Sequence, residues 1–302
     1  MTAGRILDIA EDDIHLSAER GFLIVTKGGR EAARLPLDQL DAVIVHAHGA
    51  SYSNSLLVRL AERGCPVVFC GNNHAPAGVM WSVESHHQQS GRFDLQLAAT
   101  VPLQKRLWQE IVRAKIRGQA EMLRRNEKPH HDALLSIAGY VKSGDPENHE
   151  AQAARRYWKA FFGPDFVRDQ SLPGLNGMLN YGYTVLRALV ARQVMASGLF
   201  PGMGLYHRNK NNALRLVDDL MEPFRPLVDH EVYRLSLAGH QSVERDVKLA
   251  LASIGNYPVS LPMGETDLSV AVEMFVRSLV SSLEAGQVSL VVPEFGFRLE
   301  AT

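Results

Sequence analysis

Cysteine is nearly absent, with Cys65 and Cys70 the only two in 302 residues. Two thiols are too few for a disulfide framework or a cysteine zinc site. Both lie in the apolar run CPVVFC, where a five-residue offset along an extended strand sends them to opposite faces. They read as buried free thiols that pack as small hydrophobes. Long hydrophobic runs are missing as well. No stretch approaches the ~20 apolar residues that a bilayer crossing needs, and MTAGRILDIAEDD carries charge where a secretion signal has an apolar run. The expectation is a cytoplasmic protein with no membrane partner. Internal repeats and low-complexity segments are also lacking. GNNHAPAG (71–78) has neither the Lys nor the Ser/Thr of a phosphate-cradling P-loop, and reads as a turn between strands.

Net charge is scarce too: 32 Lys and Arg against 33 Asp and Glu leave −1. That balance does not advertise nucleic-acid binding, but it conceals an asymmetry. Residues 105–128 hold eight Lys or Arg against three Glu, whereas acids outnumber bases by thirteen to seven from Arg215 onward. A local basic stripe is what phosphate contact requires. Arg113, Lys115 and Arg117 within it are candidate DNA contacts, joined by Arg155 and Arg208 further along. A solvated helix face is the bland alternative, because Arg and Lys are good helix formers in any case.

What is present is an apolar content of 46%, enough for a globular core, over a length that suits two ordinary domains. RILDI, DIHLSA, FLIVTKG, REAARLPL and DAVIVHAH are short, alternating or apolar, and predict strands. Lys27-Gly28-Gly29-Arg30 suits a tight hairpin. One helix, Ser53–Arg63, interrupts them. After about residue 90 the period becomes helical, with helices predicted over 103–125, 131–142, 147–162, 175–197, 209–221, 228–237, 243–253 and 267–284. The expected fold class is α+β: a small β-rich N-terminal domain over 1–88, then a larger all-helical domain over 89–302, joined near residues 86–95.

Chemistry-bearing residues gather in the second part. Asp145 is a good N-cap and Pro146 fits a first helical position. Glu150, Ala153, Ala154, Tyr157 and Phe161 then share one face, so Glu150 heads an apolar stripe. A carboxylate there needs a counter-ion or a metal, and an Arg-paired structural Glu is the plainer reading. Further on, GMGLYHRN delivers His207 at the entry to a segment reading NNALRLVDDLMEPFRPLVD. Asp218 and Asp219 are four and three residues before Glu222, so either can share its face. Pro223 and Pro226 break this helix just after Glu222. Acids crowded at a helix C-terminus oppose its dipole, and either Arg225 or a divalent cation offsets them. One imidazole with two or three carboxylates suits Mg²⁺ or Mn²⁺, whose use in phosphoryl transfer is general.

Three stretches carry a resemblance: HEAQAARRYWKAFF (149–162), the segment from LPGLNGMLNYGYTVLR to DDLMEPFRPLVD (172–229), and the N-terminal β region with FCGNNHAPAG. Over nearly its whole length the chain resembles the CRISPR adaptation integrase family, the first CRISPR-associated protein, in the short form that accompanies type II systems. That resemblance implies the same α+β fold. It implies a metal-dependent DNA integrase in which a DNA 3′-hydroxyl attacks a phosphodiester, inserting prespacer ends into a repeat array. The implied metal ligands fall on Glu150, His207 and Glu222, with Asp219 as a supporting acid. Glu222 stands where many relatives have Asp, and Glu147 competes with Glu150. The implied partners are a second copy of the chain, joined through the N-terminal domains, a small ferredoxin-like protein, the prespacer duplex and the repeat DNA.

The remaining candidates read as structural. Tyr157 fits core packing better than a nucleophile, Trp158 is open between packing and base stacking, and Tyr181 and Tyr183 pack or hydrogen-bond near the site. His130 and His131 read as surface residues. His86 and His87 lie between the domains, where DNA contact and a solvated linker are both open. Two rival functions share the same residues: a structure-selective metal-dependent endonuclease, and a non-catalytic DNA-binding scaffold.

Overall fold

A computed structural model describes residues 5–71, 76–80, 82 and 88–294. His86, His87 and residues 72–75 of GNNHAPAG lie outside the described residues. Two four-stranded sheets form the N-terminal part. The first runs β1 (Arg5–Ile9), β5 (Leu40–Val45), β7 (Val67–Cys70), β8 (Pro76–Met80), parallel except for the last pair. The second runs β4 (Arg30–Pro36), β3 (Phe22–Lys27), β2 (Ile14–Glu19), β6 (Ser51–Tyr52). Gly28 and Gly29 both take positive φ in the β3–β4 turn, which is the hairpin that Lys27–Arg30 predicts. Helix α1 (Asn54–Glu62) is capped by Ser53, whose side chain accepts from the Leu56 amide.

Strand period explains how the two parts join. Val43, Val45 and Val67 point with Leu16, Leu23, Leu56 and Leu60 into an inter-sheet core, while Ala42, Ile44, Val68 and Cys70 belong to the helical core. Residues alternate between faces along a strand, so the first sheet is buried on both sides. Cys65 and Cys70 accordingly sit in different cores, both as free thiols. Burial pushes each thiol up to about 12, which keeps them protonated and inert. The expected boundary near residue 88 therefore divides the sequence without dividing the packing.

The helical part comprises α2 (Gln89–Ala98), α3 (Val101–Arg125), α4 (His131–Tyr140), α5 (His149–Phe162), α6 (Leu175–Ala196), α7 (Arg215–Met221), α8 (Arg225–Leu237), α9 (Arg245–Ala252) and α10 (Leu268–Ala285). The long helices α3 and α6 form its centre, and α6 packs on α7, α8, α9, α10 and β5. Tyr181 of α6 donates to Asp8 Oδ2 at 2.7 Å, and Arg192 pairs with Asp41 at 2.5 Å, tying the helices to the first sheet. No helix among the described residues is long and apolar enough to cross a membrane.

Four expectations need correction. The second part is not all helical, because β9 (Pro258–Leu261) and β10 (Gly264–Asp267) form a hairpin before α10. The helix expected over 209–221 begins only at Arg215, since Asn209 and Asn212 side chains accept from the amides of Asn211 and Leu214 and close turns instead. The break after Glu222 is a short 3₁₀ turn, Glu222–Phe224, which runs directly into α8, with Pro226 in the first turn where no N–H is needed. Finally, Asn148 is the N-cap of α5, not Asp145. Asp145 still satisfies that helix end, accepting from the His149 and Glu150 amides at 2.9 and 3.0 Å.

Candidate active site

The first turn of α5 places Glu150 toward α3, and the 3₁₀ turn after α7 places Glu222 toward it from the other side. They meet at Lys115. Its Nζ lies 2.5 Å from Glu150 Oε1 and 2.5 Å from Glu222 Oε2. Arg225 Nε stands 3.1 Å from the other oxygen of Glu222. Burial alone would raise the Glu222 carboxyl, but the Arg225 and Lys115 cations outweigh it and hold the group below the usual range. Glu222 Oε2 is buried, with the Lys115 ammonium as its ionic neighbour but no hydrogen bond of good geometry. Glu147, the competitor of Glu150, points away to Lys142 at the surface.

His207 sits beside these acids on the turn between α6 and α7. The fully buried Asp219 organises that turn. Its carboxylate accepts from the amides of Leu205, Tyr206 and His207 at 2.6, 3.1 and 3.3 Å, and its Oδ1 lies 2.5 Å from His207 Nδ1. The Asp219 hydrogen bond raises the imidazole above its ordinary value, although burial opposes it. Gly204 is required here, because a Cβ at that position would come within 2.9 Å of Asp219 Oδ2, Arg215 Cβ and the His207 carbonyl. Trp108 of α3 closes the arrangement, stacking on Tyr206 with ring centroids 4.4 Å apart and meeting His207 edge-on. Asp218 turns away to Arg187 and Asn212.

Glu150 and Glu222 thus share one point, and His207 does not join them there. Among the described residues no three His, Cys, Asp or Glu side chains are placed to hold one ion in this arrangement. The donor set nevertheless fits a divalent cation. Two carboxylates already face one positive charge, and Asp219 engages Nδ1 of His207, which leaves Nε2 as the ring's coordinating atom. A carboxylate behind a ligating histidine is the usual way to fix its tautomer and direction.

The family described as CRISPR associated protein Cas1 matches residues 7–247. A relative from Neisseria meningitidis serogroup C (strain 8013), called CRISPR-associated endonuclease Cas1, is 35% identical over 277 residues, spanning 90% of this chain and 88% of that one. The chain belongs to the Cas1 family. Solved structures share its fold. A casposase bound to integration product superposes with a TM-score of 0.82 at 20% identity, covering 99% of this chain and 96% of that one. A Cas6-RT-Cas1–Cas2 complex gives 0.79 at 20% identity, over 99% of this chain and 37% of the longer one.

In this Cas1-family chain two of the three α3 candidates, Lys115 and Arg113, are not where their sequence stripe places them. Lys115, expected on a phosphate-contacting face, is buried between the two glutamates. Arg113 is spent inside the protein, on Glu110 at 2.9 Å and on the Val141 carbonyl at 3.0 Å. Arg117 and Arg155 are exposed, and Arg208 is exposed next to His207 with one bond to Gln104. Sequence reasoning missed a polar cleft of about 280 Å³ beside His207, lined by Arg168, Arg187, Arg225, Asp218, Asn180 and Thr184. Arg187 had left a signal, as a lone cation within the apolar run VLRALVA. Arg168 left none, because it comes from an irregular segment and is aimed by Asn176 and Asn180. Tyr157 is core, as expected. Tyr183 donates to the buried Asp229 and lies beneath Arg225, at 4.7 Å, and Arg168, at 5.5 Å.

Proposed function

We propose that this chain is a metal-dependent DNA integrase, joining the 3′ ends of a short DNA duplex to the borders of a CRISPR repeat. The reading is carried by one observation: in a chain of the Cas1 family, Glu150 and Glu222 converge from different helices on a single cationic point beside an Asp219-oriented His207. Glu150, Glu222 and His207 Nε2 would hold Mg²⁺ or Mn²⁺, the carboxylate oxygens making the site hard and the imidazole tilting it toward Mn²⁺. When bound, such an ion supplies Lewis-acid stabilisation of the charge that develops on phosphoryl oxygens.

The protein's own contribution is positional. Asp219 and Trp108 fix the imidazole, and Asp145 fixes the start of α5 beneath Glu150. The arginine-lined cleft takes phosphates of the strand that crosses the acids, with Arg208 on the other side of His207. The attacking 3′-oxygen forms a bond to phosphorus as the target's own P–O3′ bond breaks, so one phosphodiester replaces another and no covalent enzyme intermediate is needed. The assembly proposed is a homodimer formed through the N-terminal sheets, working with a small ferredoxin-like partner. The exposed edge strand β4 and the Cas1–Cas2 complex that shares this fold support that assembly.

An endonuclease uses the same groups with water as the nucleophile, and the name of the Neisseria relative, an endonuclease, favours that second reading. A strand-joining assay separates the two. A labelled duplex with free 3′-hydroxyls, a repeat-bearing plasmid and Mn²⁺ are expected to give covalently joined product with the wild-type chain. Glu222→Ala should lower joining by at least about 100-fold, on the order of a lost metal ligand, while duplex affinity changes by less than about twofold. Nicked plasmid without joined label would favour the endonuclease.

A further inference from the structure

Lys115 stands at the centre of the acids, yet the proposed chemistry gives it no task. It projects from α3 beside the core residues Ala114 and Ile116, and its side chain is 11% exposed. A lysine serving one structural pair needs only one acid, and Glu222 already has Arg225 at 3.1 Å. Instead Nζ is shared at 2.5 Å by both carboxylates.

A divalent ion sits ~2.0–2.3 Å from carboxylate oxygens, so an ion ligated by Glu150 and Glu222 needs the space that Nζ fills. Charge leads to the same conclusion. Lys115 and Arg225 neutralise the two acids, and a dication added without removing the ammonium would place two cations in contact in a poorly solvated site. The way out is on the Glu150 side, where the carboxylate is 21% exposed against 5% for Glu222.

We propose that Lys115 is a resident counter-ion that keeps Glu150 and Glu222 assembled in the metal-free protein and must swing out before a divalent ion can enter between them. It is a positioning residue that sets metal affinity. The inference rests on the metal-site reading above, and goes beyond it in stating what the ion has to displace.

Calorimetric titration of the full chain with Mn²⁺ alone, without DNA, tests it. Lys115→Met keeps the length of the side chain and removes the charge. It should bind Mn²⁺ about tenfold more tightly or better, melt lower than wild type without metal, and gain more from Mn²⁺ in melting temperature. A lysine that merely supports the fold would leave a looser site, so Mn²⁺ binding that is weaker or unchanged in Lys115→Met overturns the proposal. A second measurement uses the unaltered chain and so does not depend on the variant folding. Amine acetylation read by mass spectrometry should modify Lys115 slowly without Mn²⁺ and several-fold faster with it, and equal rates overturn the swing. Failure of the wild-type chain to bind Mn²⁺ or Mg²⁺ would sink the metal-site reading itself and this inference with it.

Discussion

Position 204 shows how closely single atoms govern the candidate site. The backbone there passes within van der Waals reach of the carboxylate that holds His207, and a methyl group has nowhere to go. Gly204→Ala must push either the Leu205–His207 turn or Asp219, and both carry the imidazole. Overpacking of this kind costs about 1–3 kcal/mol, which thermal unfolding reads as a fall of several degrees. Strand joining should drop further, by about 10- to 100-fold, because an Asp219 that loses its amide donors no longer fixes the histidine. A variant that melts lower but joins DNA at the wild-type rate would reduce Asp219 to a structural acid.

At the scale of elements, a buried carboxyl ties three helices together. Asp229 of α8 accepts from Tyr183 of α6, and Tyr157 of α5 closes on the same group. Burial pushes Asp229 up to about 7 from 3.8, with the two tyrosine hydroxyls and Arg225 only partly offsetting it. The folded chain therefore keeps a proton that the unfolded chain releases above about pH 4. Stability should fall as pH rises toward 7 and then level off, by roughly 1.4 kcal/mol per unit while the difference lasts. Asp229→Asn removes that dependence. From pH 5 to 7 the variant should gain about 2 kcal/mol relative to wild type, seen as melting curves that diverge with rising pH. Parallel pH profiles would show that Asp229 titrates alike in both states. Most of these elements were legible in advance, because long amphipathic stretches such as 101–125 and 175–196 repeat with helical period, and Gly28-Gly29 admits few structures other than a hairpin. The β9–β10 hairpin was not, since four-residue strands leave too short a pattern. The late start of α7 was hidden in Asn209 and Asn212, whose side chains compete with the helix through bonds that composition does not display. Within the site, the sequence singles out Glu150, His207, Asp219 and Glu222 as candidates, and the structure brings Glu150 and Glu222 to one point with the Asp219–His207 pair beside them, whereas Lys115 reads in sequence as a surface cation. A 25-residue basic helix does not reveal which of its charges turns inward until its neighbours are in place.

For the whole molecule the question is where a chain of net charge −1 meets a polyanion. Affinity for duplex DNA comes largely from counterions released at phosphate contacts, so it depends on local rather than total charge. The eight basic residues of 105–128 looked like that surface, yet Lys115 and Arg113 are spent within the protein, and Arg124 and Arg125 both pair with Glu121. The cleft beside His207 is the stronger candidate, because Arg168 and Arg187 from separate segments face one space there. Arg168 is held by the neutral Asn176 and Asn180, whereas Arg187 is held by Asn212 and by the Asp218 carboxylate, so among the described residues Arg168 is the cation of the two with no acid hydrogen-bonded to it. That arrangement fixes their direction without ordering cost on binding. Replacing both with glutamine keeps hydrogen-bonding capacity and removes two charges. The slope of log affinity against log salt should then become shallower by up to about 1.8, at roughly 0.9 for each lost duplex contact. Arg113→Gln with Arg117→Gln should leave the slope within about half a contact of wild type. Fluorescence anisotropy on one labelled duplex across a salt series, with all three proteins side by side, decides between the surfaces. A flattened slope in the Arg113/Arg117 pair and none in the cleft pair would return DNA binding to the α3 face and leave the arginine cleft with a purely structural task.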